Sequence, residues 1–94
     1  MSSFGARPEY QIVLTDSARD FYEAADAPLQ RRLDRCFEIL RTAPHHHPNI
    51  KPLKGRFSGS YRFRSGDYRI VYRIDREGRV VIVLVIDHRS DVYG

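Results

Sequence analysis

The sequence predicts an α+β fold in which an N-terminal strand and an αα-hairpin pack on an antiparallel β-sheet. In the front half of the chain, apolar residues recur at intervals of three and four, which is typical of amphipathic helices. In the back half, apolar and basic residues alternate in segments separated by the turns "SGD" and "REG", which is typical of a strand meander. A chain of 94 residues is expected to form a single domain over residues 1–94.

The first strand and the first helix are expected within residues 9–26. The stretch "EYQIVLT", residues 9–15, is rich in β-forming residues and predicts a strand. Either Thr15 or Asp16 can cap the helix that follows. Its apolar positions recur at helical spacing: Ala18, Phe21, Tyr22 and Ala25. They predict a short amphipathic helix.

A second helix is expected to begin at Pro28, a residue that suits the first turn of a helix. Its apolar face consists of Leu29, Leu33, Cys36, Phe37 and Leu40. The helix is expected to end before Pro44, because the residue before a proline disfavours helical conformation. The two helices form an αα-hairpin whose apolar stripe must cover another surface, and the strands supply that surface.

The back half is predicted to be a loop followed by three strands. Residues 43–55, "APHHHPNIKPLKG", are rich in proline and predict the loop. Strands are expected over residues 60–64, 68–75 and 79–87, and their short connections indicate an antiparallel meander. Residues 80–86, "VVIVLVI", are apolar at every position, which predicts a strand in the interior of the sheet.

Side-chain alternation predicts one apolar and one basic face of this sheet. The apolar positions are Tyr61, Phe63, Tyr68, Ile70, Tyr72 and Ile74. The opposite face carries Arg62, Arg64, Arg69, Val71 and Arg73. Like charges on neighbouring strands repel, so folding alone gives no reason to gather these arginines. A phosphate-bearing ligand does give one, because guanidinium groups bind phosphate oxygens in a bidentate way.

Charge and composition limit the partners and the compartment. The net charge of +4 and the pI near 9.6 favour a polyanionic partner, although a solvated basic face is the alternative. Cys36 is the only cysteine and the N-terminal "MSSFGARPEYQIV" lacks the apolar run of a secretory signal, which favours a cytoplasmic location. The longest apolar run is about a third of the ~20 residues that a membrane-spanning helix needs, so no membrane partner is expected.

The residues after the last strand suggest RNA cleavage by attack of a ribose 2′-hydroxyl on its own phosphate. An antiparallel meander would bring His88 and Arg89 near one edge of the basic face, with Tyr93 just beyond. The reaction needs a proton acceptor, a proton donor and fixed positive charge near phosphorus. Arginine supplies only the charge, which makes His88 the natural proton carrier. Tyr93 could contribute a hydrogen bond, base stacking or proton transfer.

Each of these residues also has a structural interpretation. His88 could be a hydrogen-bonding residue at a strand end, and Tyr93 could close one edge of the core. The run "HHH", residues 45–47, lacks partners at a typical zinc spacing and is predicted to be a solvated loop. Cys36 is predicted to be a buried inert thiol. No metal ion and no cofactor are expected.

Several stretches resemble the RelE/ParE superfamily of bacterial toxins from type II toxin–antitoxin systems, and the RelE branch in particular. They are "KPLKG", "GSYRFRSGDYRIVYRI" and "VVIVLVIDHRSDVY", together with the preceding helical hairpin. The resemblance implies a ribosome-dependent endoribonuclease, an mRNA interferase that cleaves messenger RNA in the ribosomal A site without a metal ion. The implied partners are a cognate antitoxin protein, the ribosome with its mRNA, and operator DNA reached only through the antitoxin complex.

The resemblance also implies roles for individual residues. Arg69 in "DYRIVY" matches the arginine that stabilises the phosphate, and Arg89 in "DHRS" matches a second phosphate-contacting arginine. Tyr93 in "DVY" matches the C-terminal active-site tyrosine of the family. With His88 these residues make up the expected catalytic set. The expected RNA-binding set is Lys51, Lys54, Arg56, Arg62, Arg64 and Arg73.

One departure from the family leaves the source of proton transfer open. Arg62 and Arg64 stand where well-known members carry lysines, and arginine does not exchange protons near neutral pH. Proton transfer then falls to His88 or to the ribosome. Two other functions remain: a ParE-like toxin that inhibits DNA gyrase without nuclease activity, and a degenerate toxin that only binds its antitoxin.

Overall fold

The computed structural model describes residues 9–88, which form two helices and five strands. These elements are β1 (Gln11–Leu14), α1 (Asp16–Ala24), α2 (Ala27–Thr42), β2 (Ile50–Pro52), β3 (Tyr61–Ser65), β4 (Tyr68–Asp75) and β5 (Val80–His88). A 3₁₀ turn, Gly55–Phe57, lies between β2 and β3. The predicted α+β class, with an N-terminal strand and a helical hairpin, is confirmed.

The five strands form one mixed sheet in the order β1-β5-β4-β3-β2. Strands β3 to β5 are the predicted antiparallel meander, and β2 pairs with β3 in antiparallel fashion at one edge. Strand β1 pairs with β5 in parallel at the other edge. A parallel pair needs a long connection between its strands, and the helical hairpin and the meander supply it between β1 and β5. Strand β5 lies between β1 and β4, in agreement with its continuous apolar sequence.

Strand β2 is a difference from the sequence prediction, which assigned residues 43–55 to a loop. Ile50, Lys51 and Pro52 pair with Phe63, Arg62 and Tyr61 of β3. The strand has three residues and includes a proline, which is tolerated in a sheet only at an edge. The residue composition of β2 therefore gives no indication that the segment pairs with β3.

Side-chain caps fix the start of each helix. Thr15 Oγ1 accepts a hydrogen bond from the backbone N–H of Ala18 at 3.3 Å and also donates to the carbonyl of Leu84 at 2.7 Å. Asp26 caps α2 by accepting from the N–H of Leu29 at 3.0 Å. Of the two predicted caps of α1, Thr15 and Asp16, the structure has Thr15, and its second bond ties the start of α1 to β5.

The core lies between the helices and one face of the sheet. Among residues 9–88, its largest fully buried side chains are Leu33 and Leu40 from α2, Ile70 and Tyr72 from β4, and Val81 and Val83 from β5. Both helices contribute to this core, so the second face of the sheet is the open face. Among residues 9–88, no helix is both long enough and apolar enough to cross a membrane.

A β-bulge in β5 changes which residues reach the open face. Val71 pairs with Val85 and Tyr72 pairs with Val83, so Leu84 is skipped. Val83 and Ile86 are both buried in the core, while Val85 is 38% exposed. Every residue of β5 after the bulge therefore lies on the sheet face opposite to the one that unbroken alternation would give it.

Candidate nucleic-acid interface

The open face of the sheet carries a cluster of cations, here called the basic face. It consists of Lys51 on β2, Arg62 and Arg64 on β3, and Arg69 and Arg73 on β4. Directly paired residues lie on the same face of a sheet, and the register pairs Lys51 with Arg62 and Arg64 with Arg69. The predicted arrangement of arginines on one sheet face is thus present in the structure.

Opposed cations of this kind destabilise a sheet unless another charge compensates them. Asp87 on β5 pairs with Arg69 and supplies this compensating negative charge. Arg69 Nε lies 3.5 Å from Asp87 Oδ1, and the two side chains are 27% and 26% exposed. Arg69 therefore has a cation on one neighbouring strand and a carboxylate on the other.

Asp87 is the residue of this face that sequence reasoning missed. An unbroken alternation from Val81 and Val83 would turn residue 87 toward the helices. The bulge at Leu84 turns it toward Arg69 instead. Because Val83, Leu84 and Val85 are all apolar, the sequence contains no signal for the position of the bulge.

His88 lies on the other side of the sheet from Arg69. It pairs with Tyr68, and the two rings make an edge contact with centroids 4.9 Å apart. Tyr68 in turn contacts Phe21 of α1, at 6.2 Å between ring centroids. The structure thus brings His88 to the end of β5 but does not bring it onto the basic face. Arg89 and Tyr93 lie outside the described residues.

Two expected RNA-binding residues belong to the segment between β2 and β3. Lys54 precedes the 3₁₀ turn and Arg56 lies within it, and both are exposed. The guanidinium of Arg56 lies 5.6 Å from the ring centroid of Phe57, which is 54% exposed. The Arg73 guanidinium lies near Gly59, at 3.8 Å from the position a Cβ would take, so this segment borders the basic face. An exposed aromatic ring beside cations is typical of surfaces that bind single-stranded nucleic acid.

Comparison with known proteins identifies the family. A family model described as the ParE toxin of type II toxin–antitoxin systems, parDE, matches residues 12–93. The chain belongs to this toxin family.

Relatives with curated names place the toxin near the RelE branch. It is 46% identical over 85 residues to Toxin RelG of Mycobacterium tuberculosis, covering 89% of this chain and 95% of that one. It is 30% identical over 86 residues to Toxin RelE of the same organism, covering 92% of this chain and 87% of that one. The toxin is thus a RelE-like member of the RelE/ParE superfamily, as its motifs indicate.

A solved structure agrees with this assignment. The toxin–antitoxin complex RelBE2 from Mycobacterium tuberculosis contains a chain that is 32% identical to the toxin, with a TM-score of 0.68. The match covers 86% of the toxin and 99% of that chain. The RelE-like fold predicted from the sequence is confirmed.

The histidine run of the toxin packs against aromatic rings. The ring of His45 makes edge contacts with Tyr10 and Tyr61, at 6.3 and 6.0 Å between centroids. Burial lowers the pKa of His45, and the nearby charges of Arg76 and His46 act in the same direction. His47 contacts Phe63 instead, at 5.1 Å. Within residues 9–88, no three potential metal ligands form a group.

Cys36 of the toxin is a core residue of α2 with 3% exposure. Burial raises the pKa of its thiol, while a hydrogen bond with Ser65 and the charges of Arg32 and Arg35 oppose that rise. A thiol held in this way is a poor nucleophile, in agreement with its predicted structural role.

Proposed function

We propose that the toxin is a ribosome-dependent endoribonuclease that cleaves mRNA in the ribosomal A site. The observation that supports this proposal best is the basic face, in which Arg69 lies between a cation and a carboxylate. The curated names of the relatives favour the same branch of the superfamily. A ribosomal target would make the cytoplasm the site of action.

In this proposal the ribose 2′-hydroxyl loses its proton to an acceptor and its oxygen bonds to the adjacent phosphorus. The bond from phosphorus to the 5′-oxygen breaks and that oxygen takes up a proton, which gives a 2′,3′-cyclic phosphate and a 5′-hydroxyl. Arg69 stabilises the negative charge that develops on the phosphate oxygens, in the way that positioned donors stabilise a transition state. Fixed guanidinium charge takes the role that metal cations have in other nucleases, so the reaction needs no metal ion. The remaining cations contact the RNA backbone: Lys51, Lys54, Arg56, Arg62, Arg64 and Arg73.

The residues at the C-terminal end keep the roles that the resemblance implies. Arg89 is proposed as the second arginine on the phosphate, and Tyr93 as the active-site tyrosine. His88 can act as proton carrier only if the substrate reaches around the end of β5, because its ring packs on Tyr68. The ribosome itself is the alternative proton acceptor.

The proposed protein partner is a cognate antitoxin. RelBE2 of Mycobacterium tuberculosis is a complex of this kind. The open face combines apolar residues on β1 and β5, such as Val13 and Val85, with the basic face on β2 to β4. An acidic amphipathic segment of the antitoxin would fit both parts, and operator DNA would be bound only through the resulting complex.

Replacement of Arg69 tests the proposed nuclease. Arg69→Ala should abolish growth inhibition on expression and lower the cleavage rate by about 10²- to 10³-fold, because one transition-state donor is lost. The fold and antitoxin binding should persist, as judged by thermal unfolding and co-purification. Arg31→Ala is the matched control, because it removes the same charge from an exposed position on α2. Toxicity retained by Arg69→Ala would remove Arg69 from the mechanism.

A second candidate is a ParE-like toxin that inhibits DNA gyrase without nuclease activity. The description of the matching family model as a ParE toxin favours it. The two candidates differ in which process fails first. Gyrase inhibition predicts loss of DNA supercoiling by purified gyrase when the toxin is added, with messenger RNA left intact.

A further inference from the structure

We infer that Asp87 is a positioning residue for Arg69 in the proposed reaction. Its carboxylate holds the guanidinium on the β5 side of the basic face and leaves the terminal nitrogens to the phosphate. The geometry of this inference comes from the ion pair between Arg69 and Asp87. Its consequence for catalysis rests on the proposed nuclease function.

The register places Arg69 between two opposite influences. Arg64 on β3 repels its guanidinium, and Asp87 on β5 attracts it. Both forces move the group in the same direction, toward β5. The guanidinium of Arg69 is therefore held on the β5 side, more firmly than by either force alone.

The atoms in contact determine how the guanidinium is presented. Asp87 Oδ1 approaches Nε of Arg69 at 3.5 Å; both atoms are buried from solvent and neither has a hydrogen-bond partner within residues 9–88, so the contact is an ion pair. Guanidinium has five N–H donors, of which Nε carries one and the two Nη nitrogens carry four. A carboxylate at Nε leaves the Nη pair as the bidentate fork for a phosphate.

Phosphate affinity alone does not explain a carboxylate at this place. A negative charge beside the phosphate-binding arginine weakens the attraction of the basic face for RNA. Asp87 also reaches this face only because the bulge at Leu84 turns it there. Orientation of Arg69 is the benefit that offsets the lost attraction, since small misplacements of a catalytic group lower rates strongly.

Two variants of Asp87 separate positioning from other roles. Asp87→Ala removes the contact, and it should lower the single-turnover rate of mRNA cleavage on programmed ribosomes by about 10- to 100-fold. Affinity for the ribosome–mRNA complex should be unchanged or higher, because a negative charge is lost. Asp87→Asn keeps the shape and an oxygen beside Nε but loses the charge, so its activity should lie between those of Asp87→Ala and the wild type. Asp20→Asn, on an exposed position of α1, controls for the change in net charge.

Three results would overturn this inference. A cleavage rate that stays at or above the wild-type value in Asp87→Ala would show that the carboxylate only competes with phosphate. Equal loss in Asp87→Ala and Asp87→Asn, with the Nε–H of Arg69 exchanging with solvent as slowly in Asp87→Asn as in the wild type, would indicate that the charge acts in the chemistry and not in positioning. A parallel loss of thermal stability and of ribosome affinity in Asp87→Ala would reduce its role to structure.

A measurement on the free toxin tests the contact without any cleavage assay. The ¹⁵N-labelled Nε–H of Arg69, assigned by its loss in Arg69→Lys, should exchange with solvent about tenfold or more slowly than in Asp87→Ala. Equal exchange rates would contradict the geometry. If the wild-type toxin cleaves no RNA, the nuclease proposal fails, while the exchange measurement still decides whether Asp87 holds Arg69.

Discussion

At the scale of single residues, Tyr72 connects the sheet to the segment that follows α2. Its side chain is fully buried, and its hydroxyl donates a hydrogen bond to the carbonyl of Pro44 at 2.7 Å. The ring stacks on Tyr61 with centroids 5.7 Å apart. Burial raises the pKa of Tyr72 well above the ordinary value, and the neighbouring Tyr61 acts in the same direction.

Tyr72→Phe should lower the free energy of unfolding by about 1–2 kcal/mol, because the buried carbonyl of Pro44 loses its donor. Urea unfolding measures this change. Tyr61→Phe is the control, since it removes a hydroxyl from the half-buried partner ring and should cost less. An equal or larger cost for Tyr61→Phe would show that the Tyr72 hydrogen bond contributes little.

The raised pKa of Tyr72 also predicts a loss of stability in alkaline solution. The unfolded chain releases the tyrosine proton at about pH 10, whereas the folded chain retains it to higher pH. The contribution is therefore fully present below about pH 10 and decreases above it. Wild-type toxin should lose more unfolding free energy than Tyr72→Phe between about pH 8 and about pH 10.5. Identical losses would contradict this assignment.

At the scale of elements, the joint between α1 and β5 controls the geometry of the open face. Thr15 caps α1 and donates to the carbonyl of Leu84, the residue that the β4–β5 pairing skips. A bulge leaves backbone groups without their ladder partners, and the Thr15 hydroxyl satisfies one of them. The cap of one helix thus supports the bulge that turns Asp87 toward Arg69.

Thr15→Ala should lower the free energy of unfolding by about 1–2 kcal/mol, the upper part of the range for loss of an N-cap. Two hydrogen bonds are lost, one to α1 and one to β5. Thr15→Ser keeps the oxygen and should retain most of the stability in urea unfolding. Equal destabilisation by alanine and serine would show that the methyl group, not the hydroxyl, is responsible.

At the scale of the whole molecule, the open face divides into an apolar part and a basic part. The alternation in β3 and β4 was sufficient to predict the basic part. In both strands the core-facing apolar residues alternate with polar residues, and Val71 is the one apolar residue on the opposite face. The apolar part on β1 and β5 depends on the parallel pairing of these strands. That pairing results from tertiary packing and has no local pattern in the sequence.

The same contrast explains why the candidate site could be predicted only in part. Arg69 lies where the alternation of β4 puts it. Asp87 and His88 follow the bulge at Leu84. The bulge lies within a run of apolar residues, so the sequence gives no indication of the register shift. A shift of one residue moves every later residue of the strand to the opposite face, so the faces on which residues 87 and 88 lie could not be inferred from the sequence.

Primer extension along one messenger RNA in a translating extract tests the nuclease proposal most directly. The wild-type toxin and the Arg31→Ala control should produce cuts at in-frame A-site codons, and the cuts should disappear when translation is blocked. Arg69→Ala should leave the message intact. Intact message with the wild-type toxin, under conditions in which it stops growth, would contradict the account and favour gyrase or another bound target.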